Sequence, residues 1–123
     1  MAIGKITRIL GAFLLFSGAP AYALDWSEED TERQLIFYGL KVMDWRQTLS
    51  VKNDSHLAES NTLLGSHPSD MRIHKFMMGG MLLETGIAAY LEPESRAYFQ
   101  YVMIGFTGFT VASNWRVGAK WGF

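Results

Sequence analysis

Ala97-Tyr98-Phe99-Gln100-Tyr101-Val102-Met103-Ile104-Gly105-Phe106-Thr107-Gly108-Phe109-Thr110-Val111-Ala112-Ser113-Asn114-Trp115 runs for 19 residues without a charge. As a helix it spans about 28 Å, close to the thickness of a hydrocarbon core. Glu92-Pro93-Glu94-Ser95 precedes it as a tight break, with Pro93 suited to a first helical turn. Upstream, Pro68-Ser69-Asp70 opens a second helical stretch, with Ser69 or Asp70 as its cap. The spacing therefore predicts helices over about 70–91 and 94–117, joined too briefly for any arrangement but an antiparallel hairpin.

Working towards the N-terminus, residues 51–69 carry turn-formers around a short apolar island, Leu63-Leu64, and no sustained period. Before them lies a third helical pattern over about 28–50. Ser27 is its N-cap, Asp30 reaches back to it, and Glu28, Glu29 and Asp30 favour the dipole of the first turn. Leu35, Tyr38, Val42, Trp45 and Leu49 recur at steps of three and four, which reads as one core-facing apolar stripe on an amphipathic helix. Asp44, Gln47 and Thr48 fall beside it, and Lys41 pairs with Asp44 at i,i+3, so a solvated face accounts for them. The tail 117–123 alternates apolar and other residues and is expected to be a short extended cap. The fold class is all-α.

Residues 1–23 read differently. Lys5 and Arg8 form a positive start, Ile9 to Phe16 an apolar run, and Gly18, Pro20 and Ala21-Tyr22-Ala23 a break and a cleavage site. That order describes a secretory signal peptide cleaved before Leu24. It implies export to the inner membrane or periplasm of a bacterial cell, with residues 24–123 as a single small helical envelope domain. Removing the signal moves the formal charge from −1 to −3, with 9 Lys and Arg against 12 Asp and Glu. With no basic surplus to neutralise phosphates, nucleic acid is not an expected partner. The chain has no cysteine and so no disulfide framework, leaving packing, a bilayer or a partner to stabilise it.

Two homes suit the hairpin. One is the membrane: the charge-free run has the length, and Gly79, Gly80 and Gly86 on one helix face Gly105, Gly108 and Ala112 on the other as small residues for close packing. The other is a small extracytoplasmic bundle. Glu84 argues for it, since a carboxylate at mid-bilayer needs a partner, for which Gln100, Thr107 and Thr110 are candidates. Charge argues for it too. If the signal delivers Leu24 outside, Glu92, Glu94 and Arg96 fall in the cytoplasm while Arg72, Lys75, Arg116 and Lys120 fall outside, against the positive-inside rule. The overall greasiness favours membrane association, together with an envelope protein partner or self-association.

Chemistry is thinly marked. His56, His67 and His74 lie within 19 residues of each other, with Glu59 and Asp70 among them, but without a ligand signature such as HExxH. Surface histidines are the simpler reading, and no cofactor is expected. No Gly-x-Ser-x-Gly elbow or phosphate-binding glycine loop occurs. The polar residues that could form a binding cluster are Asp44, Gln47, Thr48, Glu59, Asn61, His67, Arg96 and Asn114. If Asp44 turns inward it becomes a buried carboxylate wanting Arg96, Arg116 or Lys75.

The pattern Asp44-x-x-Gln47-Thr48, Glu59-x-Asn61-x-x-Leu64-Gly65-x-His67-Pro68-Ser69, Pro93-x-x-Arg96 and Asn114-x-x-x-Gly118 resembles small membrane or exported proteins of tailed bacteriophages and prophages. The resemblance covers about 44–118 and is most specific in its central segment, although Thr62 stands where members often carry proline. It implies a bacterial envelope setting and gives weight to the loop 59–69. It implies no mechanism.

The leading expectation is a non-enzymatic bacterial or phage-encoded envelope protein acting through membrane or protein contacts, in lysis, superinfection control or host-envelope modification. One alternative is a small periplasmic ligand-binding or enzymatic domain with a polar site around Asp44, Glu59, Asn61 and His67. The other is a metal-binding protein using His56, His67 and His74.

Overall fold

The computed structural model describes residues 25–52 and 68–118. The export signal expected over residues 1–23, most of the central loop with Glu59, Asn61 and His67, and the end of the tail lie outside the described residues. The described chain is helical: α1 Glu28–Lys52, α2 Asp70–Tyr90 and α3 Pro93–Arg116, with no strand among the described residues.

Local chemistry sets the helix ends. At the start of α1 the Asp30 backbone N–H donates to Ser27 Oγ (3.0 Å), and the Ser27 N–H donates to Asp30 Oδ2 (3.0 Å). This reciprocal box satisfies donors that a helix leaves without intrahelical partners. Ser69 caps α2 by accepting from the Arg72 N–H (3.3 Å). Pro93 opens α3 with the φ that its ring fixes. The stop comes at Gly118, whose φ of 96° suits a residue without Cβ.

Cross-helix pairs give the directions. Residues 30, 34 and 47 of α1 meet residues 96, 100 and 111 of α3 in ascending order, so these helices run parallel. Residues 34 and 45 meet residues 84 and 74, so α2 runs the other way. The hairpin is antiparallel, but its two helices touch each other least: α1 lies against both and packs most extensively on α3. The glycines do not make the expected close helix contact. A Cβ would meet nothing within 4 Å at Gly79, Gly80, Gly86 or Gly105, and at Gly108 only Leu40 of α1, at 3.8 Å.

The apolar stripe of α1 also differs from expectation. Leu35 and Val42 are 43% and 46% exposed, and Tyr38, Trp45 and Leu49 are half-buried. The buried side of α1 instead carries Asp30, Gln34, Asp44, Gln47 and Thr48, with Phe37 and Val51. Asp44, Gln47 and Thr48 are therefore not a solvated face. A helix buries the side on which its neighbours supply partners, and α2 and α3 offer this side hydrogen bonds rather than an apolar wall. Among the described residues, Ile73 and Met77 pack with Trp45, Leu49 and Phe76 as an apolar cluster towards one end.

The outside has the opposite character. Large apolar side chains stand exposed on all three helices, among them Ile36, Leu82, Leu83, Val102, Phe106 and Phe109. Taken one at a time, none of the described helices is long and apolar enough to cross a membrane.

Candidate functional site

The buried polar side chains form two layers, and a ladder of amides extends the first of them across the three helices. Arg96 anchors the first layer and is fully buried. Its Nη1 donates to Asp30 Oδ2 (2.9 Å) and to the Asp25 carbonyl (2.9 Å). Its Nε and Nη2 donate to the carbonyls of Ala88 (2.8 Å) and Leu91 (3.1 Å). Ala88 lies in the last turn of α2 and Leu91 is its C-cap, so the guanidinium meets carbonyls at the negative end of that helix. The Trp26 ring lies 4.8 Å from the guanidinium carbon. One side chain thus ties the start of α1, the end of α2 and the first turn of α3. Asp30 is correspondingly saturated by Arg96, Arg33 and the Ser27 N–H.

The ladder starts at Arg33, whose Nε donates to Gln100 Oε1 (2.9 Å). Gln100 Nε2 donates to Gln34 Oε1 (3.0 Å) and to the Asp30 carbonyl (2.9 Å). Gln34 Nε2 donates in turn to Glu84 Oε2 and to Thr85 Oγ1, and Tyr38 shares a hydrogen bond with Thr85. Each amide presents both its oxygen and its nitrogen, so the chain of bonds crosses from α3 through α1 to α2. Among the described residues, the one buried side-chain polar atom without a partner is Glu84 Oε1. Glu84 does find a partner, but it is Gln34 of α1 rather than Gln100, Thr107 or Thr110 of α3. The cause is the position of α1 between the hairpin helices.

The second layer holds Asp44, Gln47, Thr48 and Asn114. Asn114 Nδ2 donates to Asp44 Oδ1 (3.3 Å) and to Gln47 Oε1 (3.2 Å). Gln47 Nε2 donates to the Val111 carbonyl (3.0 Å), and Thr48 Oγ1 to the Asp44 carbonyl (2.9 Å). Asp44 faces Lys41 at 3.3 Å, not Arg96, Arg116 or Lys75. Four of the expected cluster residues therefore meet. Arg96 belongs to the other layer, while Glu59, Asn61 and His67 lie outside the described residues.

His74 accepts a hydrogen bond at Nδ1 from Trp45 Nε1 (3.0 Å). Among the described residues no three His, Asp or Glu side chains converge as a metal site requires. A shallow groove on the α1/α3 face is lined by Met43, Gly108, Val111, Ala112, Trp115 and Arg116, with no carboxylate among them.

Comparison with known proteins adds no further constraint. No family model matches the chain, and no significant similarity to a curated protein or a solved structure is found. Asp30, Arg33, Gln34, Tyr38 and Thr85 were not in the expected cluster. The signal for Asp30 and Gln34 is a polar period: residues 30, 34, 44, 47 and 48 on α1 and 96, 100, 107 and 114 on α3 recur on one helical face, whereas Arg33, Tyr38 and Thr85 carry no such mark.

Proposed function

We propose that this chain is a non-enzymatic bacterial envelope protein that works through contacts made by its apolar exterior in a membrane. One observation carries the reading: ten polar or charged side chains are buried among the described residues, while Phe106 and Phe109 stand 67% and 72% exposed. Water selects the reverse distribution, and large apolar side chains exposed on all three helices mark a surface suited to lipid or protein. In lipid, polar groups are satisfied inside the bundle and apolar ones face out. In α1 and α3 the inward face is polar, which lowers the hydropathy of the whole helix, but in this reading that face meets no lipid.

The polar layers support a structural role more than a catalytic one, since Asp30 and Asp44 are both held by cations and amide donors. The convergence of Asp44, Gln47 and Asn114 is the observation that favours the ligand-binding alternative, yet these groups spend their hydrogen bonds largely on one another. If the phage-like resemblance of the loop holds, lysis, superinfection control or host-envelope modification are the roles such a protein fills. Alkaline carbonate extraction of bacterial membranes containing the full chain tests the reading. Retention in the pellet and release only by detergent are expected. Release by osmotic shock alone would remove the membrane from the account.

A further inference from the structure

We infer that α1, α2 and α3 cross the bilayer together as a three-pass bundle, with the Glu28 end of α1 outside and the Arg116 end of α3 in the cytoplasm. The inference rests on the membrane reading above and adds number of crossings and orientation.

Direction and charge carry it. Because α1 and α3 run parallel and α2 opposes them, Asp25, Glu28, Glu29, Glu32, Glu92 and Glu94 gather at one end of the bundle, all exposed. The cations at that end among the described residues, Arg33 and Arg96, are both turned onto Asp30. Arg46, Arg72, Lys75 and Arg116 gather towards the other end, where the carboxylates are the exposed Asp70 and Asp44, the latter paired with Lys41.

Between the ends lies an apolar belt. On α3 no charge separates Arg96 from Arg116, a rise of about 30 Å at 1.5 Å per residue, which matches the hydrocarbon core. On α2 the one charge between Lys75 and Glu92 is Glu84, and it is turned inward onto Gln34. The most polar helix, α1, lies between the other two, and its Lys41 and Asp44 pair with each other. Tyr90 and Tyr98 stand exposed near the acidic rim and Trp115 near the basic rim, where amphipathic rings collect at a bilayer interface.

The positive-inside rule assigns the basic end to the cytoplasm. The start of α1 is then outside, where the export signal expected over residues 1–23 would deliver it. The conflict between signal and charge arises only if α1 stays out of the membrane. With α1 inserted, the turn at Glu92 returns to the outside and the conflict is gone.

The chain lacks cysteine, so single cysteines report cleanly. Glu29→Cys and Glu94→Cys mark the acidic end, and Lys75→Cys and Arg116→Cys the basic end; all four positions are exposed. Each full-length variant would be treated in spheroplasts with a membrane-impermeant maleimide, before and after permeabilisation, and tested for carbonate retention. Labelling of the acidic pair in intact spheroplasts, and of the basic pair only after permeabilisation, is expected. Two sites at each end keep the result readable if one variant misfolds. Labelling of all four in intact spheroplasts, with the protein still retained, would overturn the three-pass bundle and leave a chain lying on one leaflet or covered by a second copy. The reverse pattern would overturn the orientation. Loss of retention in the unsubstituted chain would overturn the membrane reading itself.

Discussion

Arg96 and Asp30 meet at 2.9 Å across 66 residues of chain, both side chains almost wholly shielded from solvent. The pair joins the first turns of α1 and α3, and Arg96 extends it to the last carbonyls of α2. Breaking a buried pair from one side leaves an uncompensated charge, at a cost of about 3–5 kcal/mol. Arg96→Met is therefore expected to lower stability by that amount in thermal unfolding of the detergent-solubilised protein. The double variant Asp30→Asn with Arg96→Met should recover part of the loss, because the stranded carboxylate is gone. A loss in the double variant equal to the sum of the losses in Arg96→Met and Asp30→Asn would mean that the pair is not coupled.

Glu84 invites the opposite change. Its Oε2 accepts from Gln34, while Oε1 has no partner. Glu84→Gln keeps the acceptor for Gln34 and removes a charge held away from water. Unfolding measured as above should show equal or greater stability. A large loss would show that the carboxylate has a partner that a neutral amide cannot satisfy.

Phe106 sits in the exposed belt at 67% exposure. For a protein in water, Phe106→Asp at such a site would be close to neutral. Within a bilayer, an aspartate near the helix centre costs about 2.5–3.5 kcal/mol on insertion scales. Reduced membrane retention of Phe106→Asp in the carbonate assay is expected, while unchanged retention would argue that lipid does not reach the belt.

Two glycines should respond in opposite directions. Gly80 is helical, and a Cβ there meets nothing within 4 Å, so Gly80→Ala is expected to gain about 0.5–1 kcal/mol. Gly118 has a φ of 96°, so Gly118→Ala forces a side chain into the left-handed region at a cost of about 1–2 kcal/mol. Melting temperatures of the two variants, compared with the unsubstituted protein, check both.

The helices were legible because their punctuation is local. Ser27, Ser69, Pro93 and Gly118 act within one turn of their own position, and each stands where the sequence predicts. Which face of α1 is buried was not legible from Leu35 and Val42. Apolar periodicity marks the face a helix would hide from water, and here the buried side of α1 is the one that hydrogen-bonds to α2 and α3. Neither polar layer was legible as a layer: Asp44 lies about as far along the chain from Asn114 as Asp30 does from Arg96 and Gln100, and only the parallel packing of α1 on α3 brings them together.

The central claim is that the exterior of this bundle faces lipid while its polar groups face one another. Spin labels at Phe106→Cys and Phe109→Cys, in the full chain reconstituted into lipid vesicles, test it most directly. Relaxation by oxygen should greatly exceed relaxation by a water-soluble nickel complex, as for sites in a hydrocarbon core. Dominant relaxation by the nickel complex at both sites would contradict the account.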